Sequence, residues 1–340
     1  MIFAELLEKL RRHEDLTPDE ATRAMGVIMD GEAQPAHIAG LLMALALKGE
    51  RPPEMAGFAR AMRARARPLP AGAAPLGDVF DTCGTGGDGA QTFNVSTAAA
   101  VVLAACGVRV AKHGNRAVSS RCGSADVFEA LGVNLEASAD RVVHALTTVG
   151  LAFFFAPAWH PSMKHAGPTR RELGVRTAFN LLGPLTNPAG ALRQLVGVSR
   201  PEHTELMART LGTLGAERAW VVHGADGLDE LSSTGFTKVS EYRNGTVHTF
   251  YLHPIDVGLP LADKAALAGG TAIENAAMIE DLCAGATGPR RDIVCLNAGA
   301  ALLIAGRVAT VKEGIAMAGS ALSEGRASAT LVALREAYSA

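Results

Sequence analysis

The sequence predicts an α/β protein. It has a small all-helical N-terminal domain and a larger α/β domain with a mostly parallel central sheet, one antiparallel hairpin and flanking helices. Three observations predict this. Residues 1–70 carry helical apolar spacing and clear helix-start signals. From Gly77 onward, short apolar segments alternate with helical stretches, the pattern of parallel strands joined by crossover helices. Asn244-Gly245 sits between two β-like runs, a strong hairpin signal.

The first helix is expected over residues 2–13. Thr17-Pro-Asp-Glu20 is a capping box with proline at the first helical position, so a second helix starts there. A third spans 35–48 and stops at Gly49; a fourth begins at Pro52-Pro-Glu54 and ends near residue 66. Pro68, Pro70, Gly72 and Pro75 read as a linker. Four short helices cannot bury their apolar faces among themselves, so this block should pack on the rest of the chain or on a second subunit. Strands are expected at 79–80, 108–111, 151–156, 194–198 and 219–222, and the hairpin pairs 237–242 with 247–251. From about residue 292 the chain reads as Ala-rich helix.

Composition excludes several function classes. The 340 residues carry a net charge of −2, so no global basic field favours nucleic acid or an anionic membrane. Aromatic residues are only 5%, too few for a base-stacking surface. The N-terminus carries acids where a signal peptide needs basic residues, and the longest apolar run, 38–47, is too short to span a bilayer. Five cysteines with no C-x-x-C spacing fit reduced thiols. A cytoplasmic protein without nucleic-acid or membrane partners is expected.

The most informative run is Asp81-Thr-Cys-Gly-Thr-Gly-Gly-Asp-Gly89, followed by Asn94-Val-Ser-Thr97. A β-like segment precedes it and an Ala/Val-rich helix, 97–106, follows. Backbone N–H groups freed from Cβ atoms, together with a helix N-terminus, make a phosphate or diphosphate cradle. The same run alone also reads as a tight turn. Next comes Lys112-His-Gly-Asn-Arg-Ala-Val-Ser-Ser120, continuing to Gly123-Ser-Ala-Asp126. At the carboxyl edge of a doubly wound sheet it can share the crevice of the first loop. Lys112 and Arg116 supply charge to phosphates, and Asn115, Ser119, Ser120 and Ser124 supply neutral hydrogen bonds. It also reads as a solvated loop with a helix cap at Ser124.

Asp226-Gly-Leu-Asp-Glu230 lies just past another strand. Adjacent carboxylates there suit Mg²⁺, which takes a few carboxylates plus water and phosphate oxygens. An ordinary Asp-Gly turn is the alternative, and Ser96 reads as a hydroxyl ligand, an N-cap, or both. A fourth segment joins His160-Pro, Arg170-Arg-Glu-Leu-Gly-Val-Arg176 and Gly183-Pro-Leu-Thr-Asn-Pro188. Cations beside an apolar stretch suit an aromatic acid, with Arg for its carboxylate. Arg171 and Arg176 read as structural ion-pair residues.

With these motifs in order along nearly the whole chain, the sequence resembles the anthranilate phosphoribosyltransferase family. The carriers are Gly84-Thr-Gly-Gly-Asp88, Asn94 to Thr97, Lys112-His-Gly-Asn-Arg116, Gly123 to Asp126, His160-Pro, Arg170, Leu173-Gly174, Phe179-Asn180, Gly183-Pro-Leu and Asp229-Glu230. The resemblance implies transfer of phosphoribose from phosphoribosyl diphosphate (PRPP) to the amine of anthranilate, with Mg²⁺ as cofactor. It implies a helical domain of residues 1–70 with part of about 167–190, and an α/β domain of 75–166 and 191–340. It also implies a homodimer through the helical domain.

By the same resemblance Gly84, Gly87, Asp88, Thr92, Asn94, Val95, Ser96 and Thr97 would hold PRPP. Lys112, His113, Gly114, Asn115, Arg116, Ala117, Val118, Ser119, Ser120 and Ser124 would hold it from the other side. Gly84, His113, Asn115, Arg170 and Pro184 would meet anthranilate; Ser96, Asp229 and Glu230 would hold the metal. Lys112, Asn115 and Arg170 are the implied catalytic residues. Cys122 stands where serine is common, which removes no group the chemistry needs. A pyrimidine nucleoside phosphorylase and a non-catalytic nucleic-acid-binding relative are the rival readings. The two runs 112–116 and 183–188 argue against the first; the net charge and the Asp229-Glu230 pair argue against the second.

Overall fold

The computed structural model describes residues 2–70, 76–117 and 121–339. Gly72 and Pro75 of the expected linker lie outside the described residues. The N-terminal block folds as α1 (Ile2–Arg11), α2 (Pro18–Met29), α3 (Pro35–Lys48) and α4 (Pro52–Arg63). The Thr17 hydroxyl accepts the Glu20 N–H at 3.2 Å, and the Glu20 carboxylate accepts the Thr17 N–H at 2.7 Å, closing the capping box. Buried Glu54 ties α4 to its surroundings: its carboxylate accepts the backbone N–H groups of Leu16 at 2.8 Å and Arg51 at 2.9 Å. Lys48 pairs with it at 3.1 Å, with only 3% of its side chain exposed.

The remaining chain wraps one seven-stranded sheet of order β3-β2-β1-β4-β5-β6-β7. Its strands are β1 (Val79–Gly84), β2 (Arg109–Gly114), β3 (Leu151–Phe155), β4 (Arg193–Gly197), β5 (Arg218–Gly224), β6 (Thr237–Arg243) and β7 (Thr246–Leu252). The first five are parallel; β6 and β7 are antiparallel. Asn244 and Gly245, at φ 51° and 81°, form the hairpin turn.

Strands β1 and β2 reach further than their apolar residues suggest. Asp81 and Thr82 are fully buried in β1, and Lys112 and His113 are buried in β2. These residues continue the strands because their polar groups find partners. Asp81 Oδ1 accepts the His113 N–H at 3.2 Å, and Asp81 Oδ2 accepts Asn187 Nδ2–H at 2.7 Å.

Helix α5 (Val95–Ala105) links β1 to β2, and α6 (Ser124–Ala130) and α7 (Ala139–Thr148) lead to β3. Short helices α8 (Ala156–Trp159), α9 (Gly167–Leu173) and α10 (Phe179–Leu182) fill the crossover to β4, and α11 (His203–Thr213) the next one. The chain ends in α12 (Ala272–Cys283), α13 (Pro289–Ile304), α14 (Val311–Ser323) and α15 (Arg326–Ser339).

Alternation along the strands separates two cores. Leu195, Trp220 and Val222 join α5 and the C-terminal helices in one. Val196, Ala219 and Val221 join α11 and the apolar residues of α1–α4 in the other. The helical block therefore does pack on the rest of the chain: α4 lies on α11, which covers that face of the sheet.

Glu54→Ala strands two backbone donors, those of Leu16 and Arg51, and leaves Lys48 with Asp15 at 2.7 Å as its one remaining carboxylate. It is expected to lower unfolding free energy by about 2–3 kcal/mol in urea titrations. A loss under about 1 kcal/mol would show that the pair behaves like a surface ion pair.

Candidate active site

Crossovers from β1 run one way to β2 and those into β4 run the other, so the strand order reverses between them. Ligand crevices form at the carboxyl ends of strands at such a reversal. Here β1, β2, β4 and β5 end in Gly84, Gly114, Gly197 and Gly224, so the carboxyl edge carries no side chains at those positions. At Gly197 the reason is contact: a Cβ would collide with the Asp229 carbonyl.

Asp229 and Glu230 fasten the Gly-rich loop at both ends. Asp229 Oδ2 accepts the Gly86 N–H at 2.9 Å, and Glu230 Oε1 accepts the Ser96 N–H at 3.1 Å. Burial raises both pKa values, and neighbouring negative charge adds to it, from Asp88 on Asp229 and from Asp229 on Glu230. A divalent cation would relieve that repulsion. No three His, Cys, Asp or Glu side chains converge on a metal-sized space among the described residues. Two carboxylates and the Ser96 hydroxyl thus fit a cation that completes its shell with water and phosphate oxygens.

Lys112 lies beneath the loop. Its ammonium donates to the Thr82 carbonyl and to Ser96 Oγ at 3.3 Å, and burial lowers its pKa while Asp81, Glu230 and Asp229 pull it back. The loop itself is shaped by neighbours. Asp88 accepts the Ala90 N–H at 3.2 Å, Thr92 bridges Ala268, and Asn94 Oδ1 accepts from Asn275 at 2.9 Å. Helix α5 starts at Val95, with Asn94 as its cap residue. Ser96 is thus the second helical residue, and the N-cap reading of Ser96 is corrected. Val95 and Thr97 are buried in α5.

In the second loop, Gly114 ends β2 and Asn115 is exposed. Asp126 holds this loop: Oδ2 accepts the N–H groups of Ala117 at 3.0 Å and Gly123 at 2.9 Å. The cap of α6 is Gly123, not Ser124, which is the first helical residue. Arg116 is committed to Asp126 at 3.0 Å and Glu129 at 2.8 Å. Val118, Ser119 and Ser120 lie outside the described residues.

The fourth segment meets this edge through His113. Its Nδ1–H donates to the Gly183 carbonyl at 3.2 Å, next to Pro184, and its ring lies 5.2 Å from that of His160. Burial pushes His113 down to about 3 and His160 to about 4. Both rings are neutral, and both Nε2 atoms are buried without a partner. His160 was legible only as part of a motif. Arg170 Cζ sits 4.9 Å over the Phe179 ring, and burial lowers its pKa.

Arg171 is exposed on α9, and neither it nor Arg176 forms an ion pair among the described residues. The ion-pair reading of both is corrected. Arg176 lies against the Gly-rich loop, donating to the Thr85 carbonyl at 3.4 Å.

This arrangement defines a glycosyl transferase. The family model "Glycosyl transferase family, a/b domain" matches residues 76–328, and "Glycosyl transferase family, helical bundle domain" matches residues 4–66. Anthranilate phosphoribosyltransferase of Moorella thermoacetica is 54% identical over 329 residues, covering 96% of each chain. That of Symbiobacterium thermophilum is 52% identical, covering 97% of this chain and 96% of its own. The crystal structure of the Thermus thermophilus enzyme superposes with a TM-score of 0.92 at 49% identity, covering 98% of this chain and 99% of its own. The Saccharomyces cerevisiae enzyme in complex with PRPP and Mg superposes with a TM-score of 0.88 at 26% identity, covering 99% and 98%. The chain belongs to the anthranilate phosphoribosyltransferase family.

The buried histidines generate a pH prediction. Their folded pKa values lie below the ordinary value of about 6.5. Between about pH 3 and 6.5 the unfolded chain binds protons that the folded chain refuses, so this contribution lowers stability on acidification. Doubly substituting His113→Asn and His160→Asn should make urea stability fall less steeply from pH 7 to 5. An unchanged slope would mean that the rings are not neutral in the fold.

Proposed function

We propose that this chain transfers the phosphoribosyl group from PRPP to the amine of anthranilate, releasing diphosphate, as the second step of tryptophan synthesis from chorismate. The observation that carries the site assignment is the carboxylate pair. Asp229 is bonded to the first turn of the Gly-rich loop and Glu230 to the start of α5, so metal ligands and phosphate donors form one unit.

Donor-side contacts are assigned to Gly84, Gly87, Asp88, Thr92 and Asn94–Thr97, with Lys112–Ser120 and Ser124 opposite. Arg116 would exchange a carboxylate for a phosphate to take part. Ser96, Asp229 and Glu230 would hold Mg²⁺, which when bound supplies positive charge to the leaving diphosphate. Lys112 adds a desolvated ammonium to the same pole.

Acceptor-side contacts are assigned to Gly84, His113, Asn115, Arg170 and Pro184. Arg170 has no carboxylate partner among the described residues, which suits the carboxylate of anthranilate, and the apolar Phe179, under its guanidinium, and Pro184 are buried. The unused His113 Nε2 is an acceptor for an N–H. The anthranilate amine is neutral at pH 7, so no strong base is needed to prepare it. The C1–O bond breaks with its electron pair passing to diphosphate, and the nitrogen lone pair forms the new bond. The resulting anilinium is a strong acid and sheds its proton to solvent as the product leaves the site. Catalysis then rests on positioning, leaving-group stabilisation and exclusion of water.

The proposed lobes are residues 1–70 with part of about 167–190, and 75–166 with 191–340; α9 packing on α3 supports this division. A homodimer through the helical lobe is proposed on the 78% exposure of Leu47 at the end of α3, and a cytoplasmic location on the metabolic role. No helix among the described residues is long and apolar enough to cross a membrane.

Anthranilate fluorescence should fall on adding PRPP only when Mg²⁺ is present. Arg170→Ala should raise the anthranilate KM by about tenfold or more with little change in that for PRPP; equal effects on both would remove Arg170 from the acceptor side. Replacing Asp229 and Glu230 by Ala should cut kcat and flatten the Mg²⁺ titration. An unaltered titration would place the metal elsewhere.

A further inference from the structure

Arg176 is the cation at the crevice with no role so far. It lies between α9 and α10, half-buried. Its Nη2 donates to the Thr85 carbonyl at 3.4 Å, and its Nη1 fills the space that a Cβ on Gly87 would need. Gly87, at φ 73°, is thus glycine for two reasons, its backbone conformation and the guanidinium seated on it.

A guanidinium carries five N–H donors in a planar fork. Among the described residues one long hydrogen bond is all that Arg176 makes. Burial disfavours its charge and Arg200 repels it, while Asp229 and Asp88 attract it without pairing. Removing an unpaired charge from water is unfavourable, so such a group calls for an anion. Two further polar atoms nearby lack partners. Ser199, whose N–H donates to Thr85 Oγ1 at 3.3 Å, has a buried unpaired hydroxyl. His203, electrostatically linked to Arg176 and Arg200, has a buried unpaired Nδ1. The Thr85–Gly87 turn therefore has unspent polar groups beside it, in Arg176, Ser199 and His203.

We propose that Arg176 clamps the diphosphate of PRPP, donating two N–H groups to its oxygens and acting as a further catalytic residue of the transfer. The proposal rests on the transferase reading. Diphosphate is the group bound at the Gly-rich loop in that reading, and a planar fork matches its paired oxygens. The contact strengthens as the C1–O electron pair moves onto diphosphate; Arg176 stays protonated and passes no proton. A ribose 5-phosphate group lies at the other end of the donor and gains nothing from it.

Calorimetry of inorganic pyrophosphate with Mg²⁺, run beside ribose 5-phosphate, tests this on the wild-type protein, Arg176→Ala and Arg176→Lys. Arg176→Ala should weaken pyrophosphate about tenfold or more and leave ribose 5-phosphate within about twofold. Arg176→Lys should recover only part of the loss, because a point charge cannot replace the fork. Turnover should show kcat/KM for PRPP falling with the anthranilate KM unchanged. Pyrophosphate affinity within about twofold of wild type in Arg176→Ala, or equal weakening of both ligands, would overturn the proposal. Should Arg176→Ala melt early, the same comparison in Arg176→Lys decides. If the wild-type protein turned over no PRPP with anthranilate, the transferase reading would fall, while the pyrophosphate titration would still decide Arg176.

Discussion

The crevice depends on how closely Asp229 lies against the ends of β1 and β4. A Cβ on Gly84 would stand 2.5 Å from Asp229 Oδ2, and one on Gly197 would collide with the Asp229 carbonyl. Only two bare backbones let the 229–230 turn reach the loop amides. That approach buries two carboxylates side by side, which raises the pKa of both. In the function proposed above, the same pair would hold the divalent cation.

A second polar link sets the acceptor side. Asn187 donates to Asp81 at 2.7 Å and to the Ala111 carbonyl at 2.8 Å, so the 183–190 segment is fastened to β1 and β2. The Gly183 carbonyl then lies where His113 can donate to it. Through these bonds the segment carrying Pro184 is held at the same edge as the phosphate loop. The helical block stabilises this from behind, because its apolar residues share a core with β4 and β5.

The cations at the edge divide into two kinds. Arg116 is exposed and spends its fork on Asp126 and Glu129, so it shapes its own loop. Lys112, Arg170 and Arg176 are withdrawn from water and have no ion-pair partner among the described residues. Perturbed charged groups gathered at one edge mark a functional-site candidate, and under the transferase reading proposed above the anionic substrates would supply the ion-pair partners these cations lack.

Much of this was legible in the chain itself. Local signals set the helices of the N-terminal block, the hairpin at Asn244-Gly245 and the Gly-rich loop, because capping, turn chemistry and apolar period act over a few residues. The order of motifs was enough to place the family. Strand ends were misjudged where Asp81, Thr82, Lys112 and His113 continue β1 and β2, since burial of a polar residue depends on a distant partner, 106 residues away for Asp81 and Asn187. Helix starts at Ser96 and Ser124 each shifted by a residue or two. Arg176 could not be separated from Arg171 in sequence: both are arginines in one polar run. Only the tertiary structure decided that one faces solvent and the other rests on Gly87, because that choice is made by the packing of a distant loop and not by the neighbours of either residue.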